Sequence, residues 1–440
     1  MTARPSRWRA WAPDLEPLRE SPAFRNLYLA RTVSLFSVSI LAVAVAWQVY
    51  ELSASSLHVA GVTVGLAVGS LIGLVWGGTL ADRGDRRRTM IWSRAAYVGV
   101  VALLGVNSAL PEPGLVLIYL ATVFSGLTSG LSAPALMAAL PRLVPLHHLA
   151  SAGALNALAM EVGRLTGPLI AGALMAHSSI AVCYGVVLAG AAMVPILLAR
   201  LPRQLLVPDE SDVSPGAQRR PALHHQWLEG LRHVGQSPVI ASLLALDLVA
   251  MLFLSVQTLM PQLGQAVLRG GPEMVGYLYA APAVGALIVA MSSGWTRTMS
   301  RPGRLIVLCT LLWGVAVFLA GLAAAGIGRG PGWTPWLVLV CLAVGGMADT
   351  ATDIVRGALL QIHTPDALRG RISGLWLLQG YFGPALGGLQ IAGLATVWSP
   401  ARALMSGGAL CAGLIAMGLA GRRGPLRRFL WGLGTQPRES

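Results

Sequence analysis

Residues 77–89 read GGTLADRGDRRRT, a stretch in which Asp82, Arg83, Asp85, Arg86, Arg87 and Arg88 fall within seven positions. The chain on either side is apolar: residues 59–80 carry no charge, and the run from 91 to 110 carries one. The same contrast extends over all 440 residues. At 55% hydrophobic and 11% charged, with mean hydropathy +0.66, the chain is too apolar to fold as a soluble globule. Twelve apolar stretches fall near 28–50, 59–80, 91–110, 115–140, 150–175, 179–199, 238–262, 274–295, 305–326, 335–357, 372–397 and 402–420. Each comes close to the ~20 residues that cross a ~30 Å hydrocarbon core as a helix. The expected fold is an all-α polytopic membrane protein with twelve transmembrane helices, and the charged stretch is the loop between the second and third.

Basic residues set the expected orientation, because loops rich in them stay on the cytoplasmic side. All 32 are Arg. Placing both termini in the cytoplasm puts 26 on that face, leaves Arg269, Arg329 and Arg402 outside, and sets Arg31, Arg164 and Arg356 within spans. The net charge of +14 then reads as a topology signal plus attraction to anionic membrane lipid, which argues against nucleic acid as a partner. Residues 1–26 form a cytoplasmic tail with no signal-peptide pattern, and 421–440 a second tail. Residues 200–237 are polar and Pro-rich, a cytoplasmic linker between six-helix bundles at 27–199 and 238–420. Within that linker WLEGLRHV has the spacing of a short amphipathic helix or of a solvated loop.

Internal repetition supports this division. A shift of 216 superposes Gly69 on Gly285, Gly78 on Gly294 and Arg88 on Arg304; a shift of 220 superposes Pro145 on Pro365, Gly163 on Gly383 and Gly167 on Gly387.

Gly78, Asp82, Arg83, Arg86 and Arg87 resemble the loop signature of the major facilitator superfamily, Gly-x-x-x-Asp-Arg followed by a basic cluster. Asp85 stands where the signature has Gly. A small residue at Gly78 lets two helices approach, and Asp82 at a helix end can pair with Arg, which makes the loop a candidate conformational latch. The equivalent second-half loop, GWTRTMSRPGR, lacks the Asp. In the fifth span Gly163, Gly167, Pro168 and Gly172 look like the Gly-Pro motif of the superfamily's antiporters, with Ala171 replacing a usual Gly. SPAFRNLYLAR from Ser21, NSALPEPGLVLIYL from Asn107 and TPDALRGRISGLW from Thr364 narrow the resemblance to the superfamily's enterobactin (siderophore) exporter branch.

The resemblance implies a major facilitator fold of two pseudo-symmetric bundles in the bacterial inner membrane. It also implies export of a catecholate siderophore to the periplasm, driven by the proton gradient and without a cofactor. The neighbouring reading is multidrug or macrolide efflux. The expected partners are a small-molecule substrate, either siderophore or drug-like aromatic, and membrane lipid, with an outer-membrane efflux system as a further candidate.

Ionisable groups within spans need a partner, a wet cavity or a function. Asp349, Asp353 and Arg356 stand at i, i+4 and i+7 of the tenth span, within about 60° of one another at 100° per residue. Asp247 shares a stripe of the seventh span with Met251, Leu254 and Thr258. In the superfamily, spans 1, 4, 7 and 10 line the cavity, so Asp247 and Asp349 are the first candidates for proton coupling. Asp353, equally fitted to a gate or salt bridge, and Glu161, one turn from Arg164, follow. Candidate substrate contacts are Arg31, Phe36, Phe124, Ser125, Gln257, Arg356, Gln379 and Tyr381. Trp47, Trp76, Trp92, Trp295, Trp333, Trp336 and Trp398 lie near span ends as an interfacial belt.

Cys183, Cys309, Cys341 and Cys411 lie singly within spans, a pattern of packing and not of metal binding. No GxxxxGK[ST] loop is present, so ATP is not the direct energy source. A membrane enzyme would need a nucleophile, metal ligands or paired acids at one depth, and only Asp349 with Asp353 approaches that.

Overall fold

The computed structural model describes residues 15–83, 86–202, 223–292, 294, 296, 299, 301–326, 332–365 and 368–420. All described elements are helical: α1 Glu16–Glu20, α2 Pro22–Ser53, α3 Ser56–Arg83, α4 Arg86–Ala109, α5 Leu115–Leu143, α6 Leu149–His177, α7 Ile180–Ala199, α8 Leu223–Gln236, α9 Pro238–Leu254, α10 Met260–Gln262, α11 Gly271–Met291, α12 Pro302–Ala325, α13 Thr334–His363, α14 Arg369–Val397 and α15 Pro400–Ala420. Several starts are written in the sequence. Ser21, Ser179 and Ser237 each accept a hydrogen bond from a backbone N–H three residues on, and Pro22 and Pro238 take the first helical position, where no donor is lost.

Among the described residues, eleven helices, counting Pro238–Val267 as one, are long and apolar enough to cross a membrane. The remaining expected span, α14, has 29 residues but lower hydropathy, because seven glycines and two glutamines interrupt its apolar positions. The seventh span is also less regular than expected. The α9 helix stops at Leu254, and the chain continues through a 3-10 turn (Val256–Leu259), α10 and a π-helical turn (Leu263–Val267). Part of the linker segment forms a helix, α8, and Gly230 at its middle packs against Leu375 of α14.

The same packing pattern occurs twice. In the first half α3 packs on α5, α4 on α5 and α7, and α2 on α6 and α7; in the second α11 packs on α13, α12 on α13 and α15, and α9 on α14 and α15. The α6–α11 and α3–α14 pairs join the halves. Short connections make successive long helices alternate in direction. Pro22, Arg83 and Ala199 therefore lie on one face, the proximal face, and Ser53, His177 and Val397 on the other, the distal face.

Glycine sets the tightest seams. A Cβ at Gly69 would lie 1.9 Å from the Val123 carbonyl oxygen, and at Gly73 2.2 Å from that of Leu127, so α3 and α5 touch backbone to backbone. Gly285 meets the Ala343 carbonyl at the same 1.9 Å. The sequence repeat that pairs Gly69 with Gly285 is thus matched by equivalent contacts. Likewise Gly163 and Gly167 face Leu35 and Ser39 of α2, while Gly383 and Gly387 face Met251 of α9.

The described belt tryptophans are half exposed or more at Trp76, Trp92, Trp333, Trp336 and Trp398. Trp47 is instead buried in the first-half core, where α2 packs on α6 and α7; Trp295 lies outside the described residues.

Candidate functional site

A cavity of about 450 Å³ lies where the halves meet. Ser39, Ala42 and Val43 of α2 and Glu161, Arg164 and Pro168 of α6 line it from the first half. The second half supplies Met251, Gln257, Met260, Tyr279, Trp313, Asp349 and Asp353 among others. The break after α9 turns the segment from Ser255 to Gln257 to the cavity, as irregular backbone in a membrane is tolerated where it lines one.

The charged groups divide into two kinds. Arg356 is 1% exposed, and its Nη1 lies 2.5 Å from Asp247 Oδ1 and donates to Asp353 Oδ1 at 2.6 Å. One nitrogen with two hydrogens serves both carboxylates. Gln379 Nε2 adds a bond to Asp247 Oδ2 at 2.9 Å and another to the Leu244 carbonyl at 3.0 Å. Asp247, 2% exposed, is therefore enclosed in a closed ion cluster and is not among the residues lining the cavity, a correction to its expected place on the wall. Its neighbour Asp353 reaches from that cluster into the cavity, with a side chain 51% exposed.

Asp349 differs from both. It lines the cavity, and no hydrogen bond or ion pair engages its carboxylate among the described residues. Across the cavity Glu161 Oε1 stands 3.6 Å from Arg164 Nη1, while Glu161 Oε2 is buried without a partner among the described residues. Three carboxyl groups, those of Asp349, Asp353 and Glu161, and the Arg164 guanidinium thus line one space, drawn from both halves, with the Arg356–Asp247 pair enclosed behind it.

Other expected contacts lie elsewhere. Among the described residues, none of α5 lines the cavity. Its seam with α3 buries Ser125, and Phe124 points outward at 53% exposure. Arg31, Phe36 and Tyr381 are half-buried off the cavity, and Gln379 and Arg356 act through the ion cluster, whereas Gln257 does line it. Sequence reasoning missed Tyr279, Trp313 and Met260, whose helices showed no polar signal to set one face apart. Of the latch residues, Gly78, Asp82 and Arg83 fall in the last turns of α3 and their surroundings lie outside the described residues. Arg86 and Arg87 open α4, and Arg87 Nη2 donates to the Ala199 carbonyl at the end of α7. In the Gly-Pro motif of the fifth span, on α6, Gly172 meets Gly276 of α11 across the halves, while Pro168 lines the cavity.

Further cross-half contacts gather on the distal face. Ser56 Oγ donates to Gln262 Oε1 at 2.7 Å, and His177 Nδ1 lies 3.4 Å from Glu273 Oε1.

Residues 27–388 match the family described as Major Facilitator Superfamily. Proteins named enterobactin exporter EntS are 34% identical in Shigella boydii serotype 18 and 33% in Escherichia coli O139:H28, each over 91% of this chain and 92% of theirs. Among solved structures, a peptide transporter POT in complex with sulfate superposes with TM-score 0.70 at 14% identity, covering 92% of this chain and 96% of that one. The nucleoside transporter NupG superposes with TM-score 0.67 at 11% identity over 94% and 100%.

Proposed function

This chain belongs to the Major Facilitator Superfamily and is a multi-pass membrane transporter, not an enzyme; from that premise we propose that it exports a catecholate siderophore such as enterobactin across the bacterial inner membrane in exchange for protons. The substrate reading is carried by near full-length similarity to enterobactin exporters. The cavity suits such a ligand: Tyr279 and Trp313 offer aromatic surfaces, and Asp349 and Glu161 offer acceptors to catechol hydroxyls. Met251 and Met260 would also adapt to drug-like aromatic compounds, which keeps multidrug or macrolide efflux as the second reading.

Asp349 is assigned the proton, because it faces the cavity unbonded while Asp247 and Asp353 are held by Arg356. It would take up a proton from outside and release it to the cytoplasm, with Glu161 as the alternative acceptor. Alternating access would open and reclose the distal contacts Ser56–Gln262 and His177–Glu273. Both termini are assigned to the cytoplasm, and the 78–87 loop to latching the proximal face. The proton gradient is the energy source and no cofactor is required; an outer-membrane efflux system would carry the product onward.

The test is uptake by inside-out proteoliposomes of purified protein under an imposed pH gradient. Catecholate accumulation that collapses with a protonophore is the expected result. Accumulation of a macrolide but not of a catecholate would favour the second reading, and gradient-independent equilibration of either would remove proton coupling.

A further inference from the structure

Arg94, which the loop count assigns to the cytoplasmic face, lies two turns inside α4. Its Nη1 donates to Ser34 Oγ of α2 at 3.0 Å. Arg31 stands one turn before Ser34 on the same face of α2, and the two guanidinium groups are electrostatic neighbours. Tyr97, one turn beyond Arg94, is 4% exposed, and its hydroxyl is buried without a hydrogen-bond partner among the described residues. No acid answers this pair: among the described residues Arg31 makes no hydrogen bond or ion pair, and Arg94 bonds only the neutral Ser34.

Two cations within helices, with no acid beside them among the described residues, form a place where an anion from elsewhere can be held. Depth identifies its source. Arg31 follows the start of α2 by nine residues and Arg94 that of α4 by eight, about 12–14 Å along each axis at 1.5 Å per residue. With helices about 48 and 36 Å long against a ~30 Å core, both groups lie within one or two turns of the proximal headgroups.

We propose that Arg31, Ser34, Arg94 and Tyr97 form an oxyanion site in the first half, occupied by the phosphate of an anionic phospholipid of the proximal leaflet. The guanidinium forks match phosphate oxygens, and the Tyr97 and Ser34 hydroxyls supply two more donors. The site is separate from the cavity and does not rest on the transport reading. A soluble oxyanion shares the chemistry, so the experiment must separate the two.

Full-length protein in detergent, stripped of lipid, is given phosphatidylglycerol, phosphatidylcholine or sodium phosphate. Native mass spectrometry counts retained lipid and tryptophan fluorescence follows thermal unfolding. Wild type should retain phosphatidylglycerol at least about tenfold over phosphatidylcholine and gain about 2–4 °C with it. Arg94→Gln and Arg31→Gln should each lose both effects, while Arg402→Gln, a charge removed on the distal face, should keep them. If Arg94→Gln does not fold, Arg31→Gln and Tyr97→Phe carry the comparison. Sodium phosphate that displaces phosphatidylglycerol and alone reproduces the thermal gain would uphold the site and assign it to a soluble anion. Equal retention of both lipids by wild type, or unchanged selectivity in Arg31→Gln and Tyr97→Phe, would overturn the proposal.

Discussion

The first and seventh spans occupy equivalent places in the repeated packing, yet one is a continuous 32-residue helix and the other stops at Leu254 and proceeds through 3-10 and π turns. The charges divide along the same line. The second half holds the Asp247–Arg356–Asp353 cluster and Asp349, whereas the first contributes Glu161 and Arg164 to the cavity. The first half has instead the longer glycine seam, where Gly69, Gly73 and Gly77 of α3 and Gly126 and Gly130 of α5 meet backbone, against Gly285 and Gly346 in the second. The first half gathers its close glycine contacts in one seam, whereas the second spreads them over Gly285, Gly321, Gly346, Gly387, Gly407 and Gly408 and concentrates ionisable groups beside an interrupted helix. Duplicated architecture has thus been put to two uses.

The sharpest way to break this contrast is Arg356→Ala. It leaves Asp247 buried without its cation, a loss of about 3–5 kcal/mol for breaking a buried pair, so the variant should fail to accumulate in membranes. Asp247→Asn combined with Arg356→Gln should recover part of the yield, read by fluorescence-detected gel filtration. Next in size, Gly73→Leu should cost at least about 1–3 kcal/mol by overpacking, since even a Cβ would sit 2.2 Å from the Leu127 carbonyl. Gly99→Ala, with nothing within 4 Å, should leave the unfolding temperature unchanged. Equal tolerance at the two positions would show that backbone contact along the α3–α5 seam does not limit packing in the first half.

Asp349→Asn should leave folding intact, because its carboxylate bonds nothing among the described residues, and should reduce gradient-driven accumulation to passive equilibration while substrate binding persists. A variant that still concentrates substrate would move the proton to Glu161. Asp82→Asn should insert normally and slow transport severalfold, whereas removing charge at Arg301, in the second-half loop that has no Asp, should change the rate less. Equal effects would make both loops topogenic only. The smallest effect is expected from Ser56→Ala, about 0.5–1.5 kcal/mol for one hydrogen bond, seen as faster distal-side labelling of a cysteine placed at the cavity residue Gln257.

Much of this architecture can be read from residue order. Composition alone requires spanning helices, and a 216-residue shift finds the glycines at which equivalent pairs touch. Helical spacing also brings Asp353 to Arg356 and Glu161 to Arg164, since partners three apart share a face. It does not say which neighbour a face meets. Asp247 and Asp349 have similar local patterns, and only the approach of α13 and α14 encloses one and leaves the other in the cavity. Arg94 escaped notice because its place near a span end is indistinguishable in sequence from a loop anchor. The break after Leu254 has no signal at Ser255 itself, although Pro261 in the segment beyond it frees the Gln257 carbonyl, to which Tyr279 Oη donates.

The low hydropathy of α14 has a consequence for how the protein is made. A nascent segment leaves the translocation channel for lipid according to its own partition energy, and seven glycines with two glutamines give this one little. Its settled surroundings are α3, α9 and α15, of which α15 is synthesised last. Insertion of α14 must therefore lean on α3 and α9, which precede it in synthesis and pack against it most extensively, with α15 closing the remaining side.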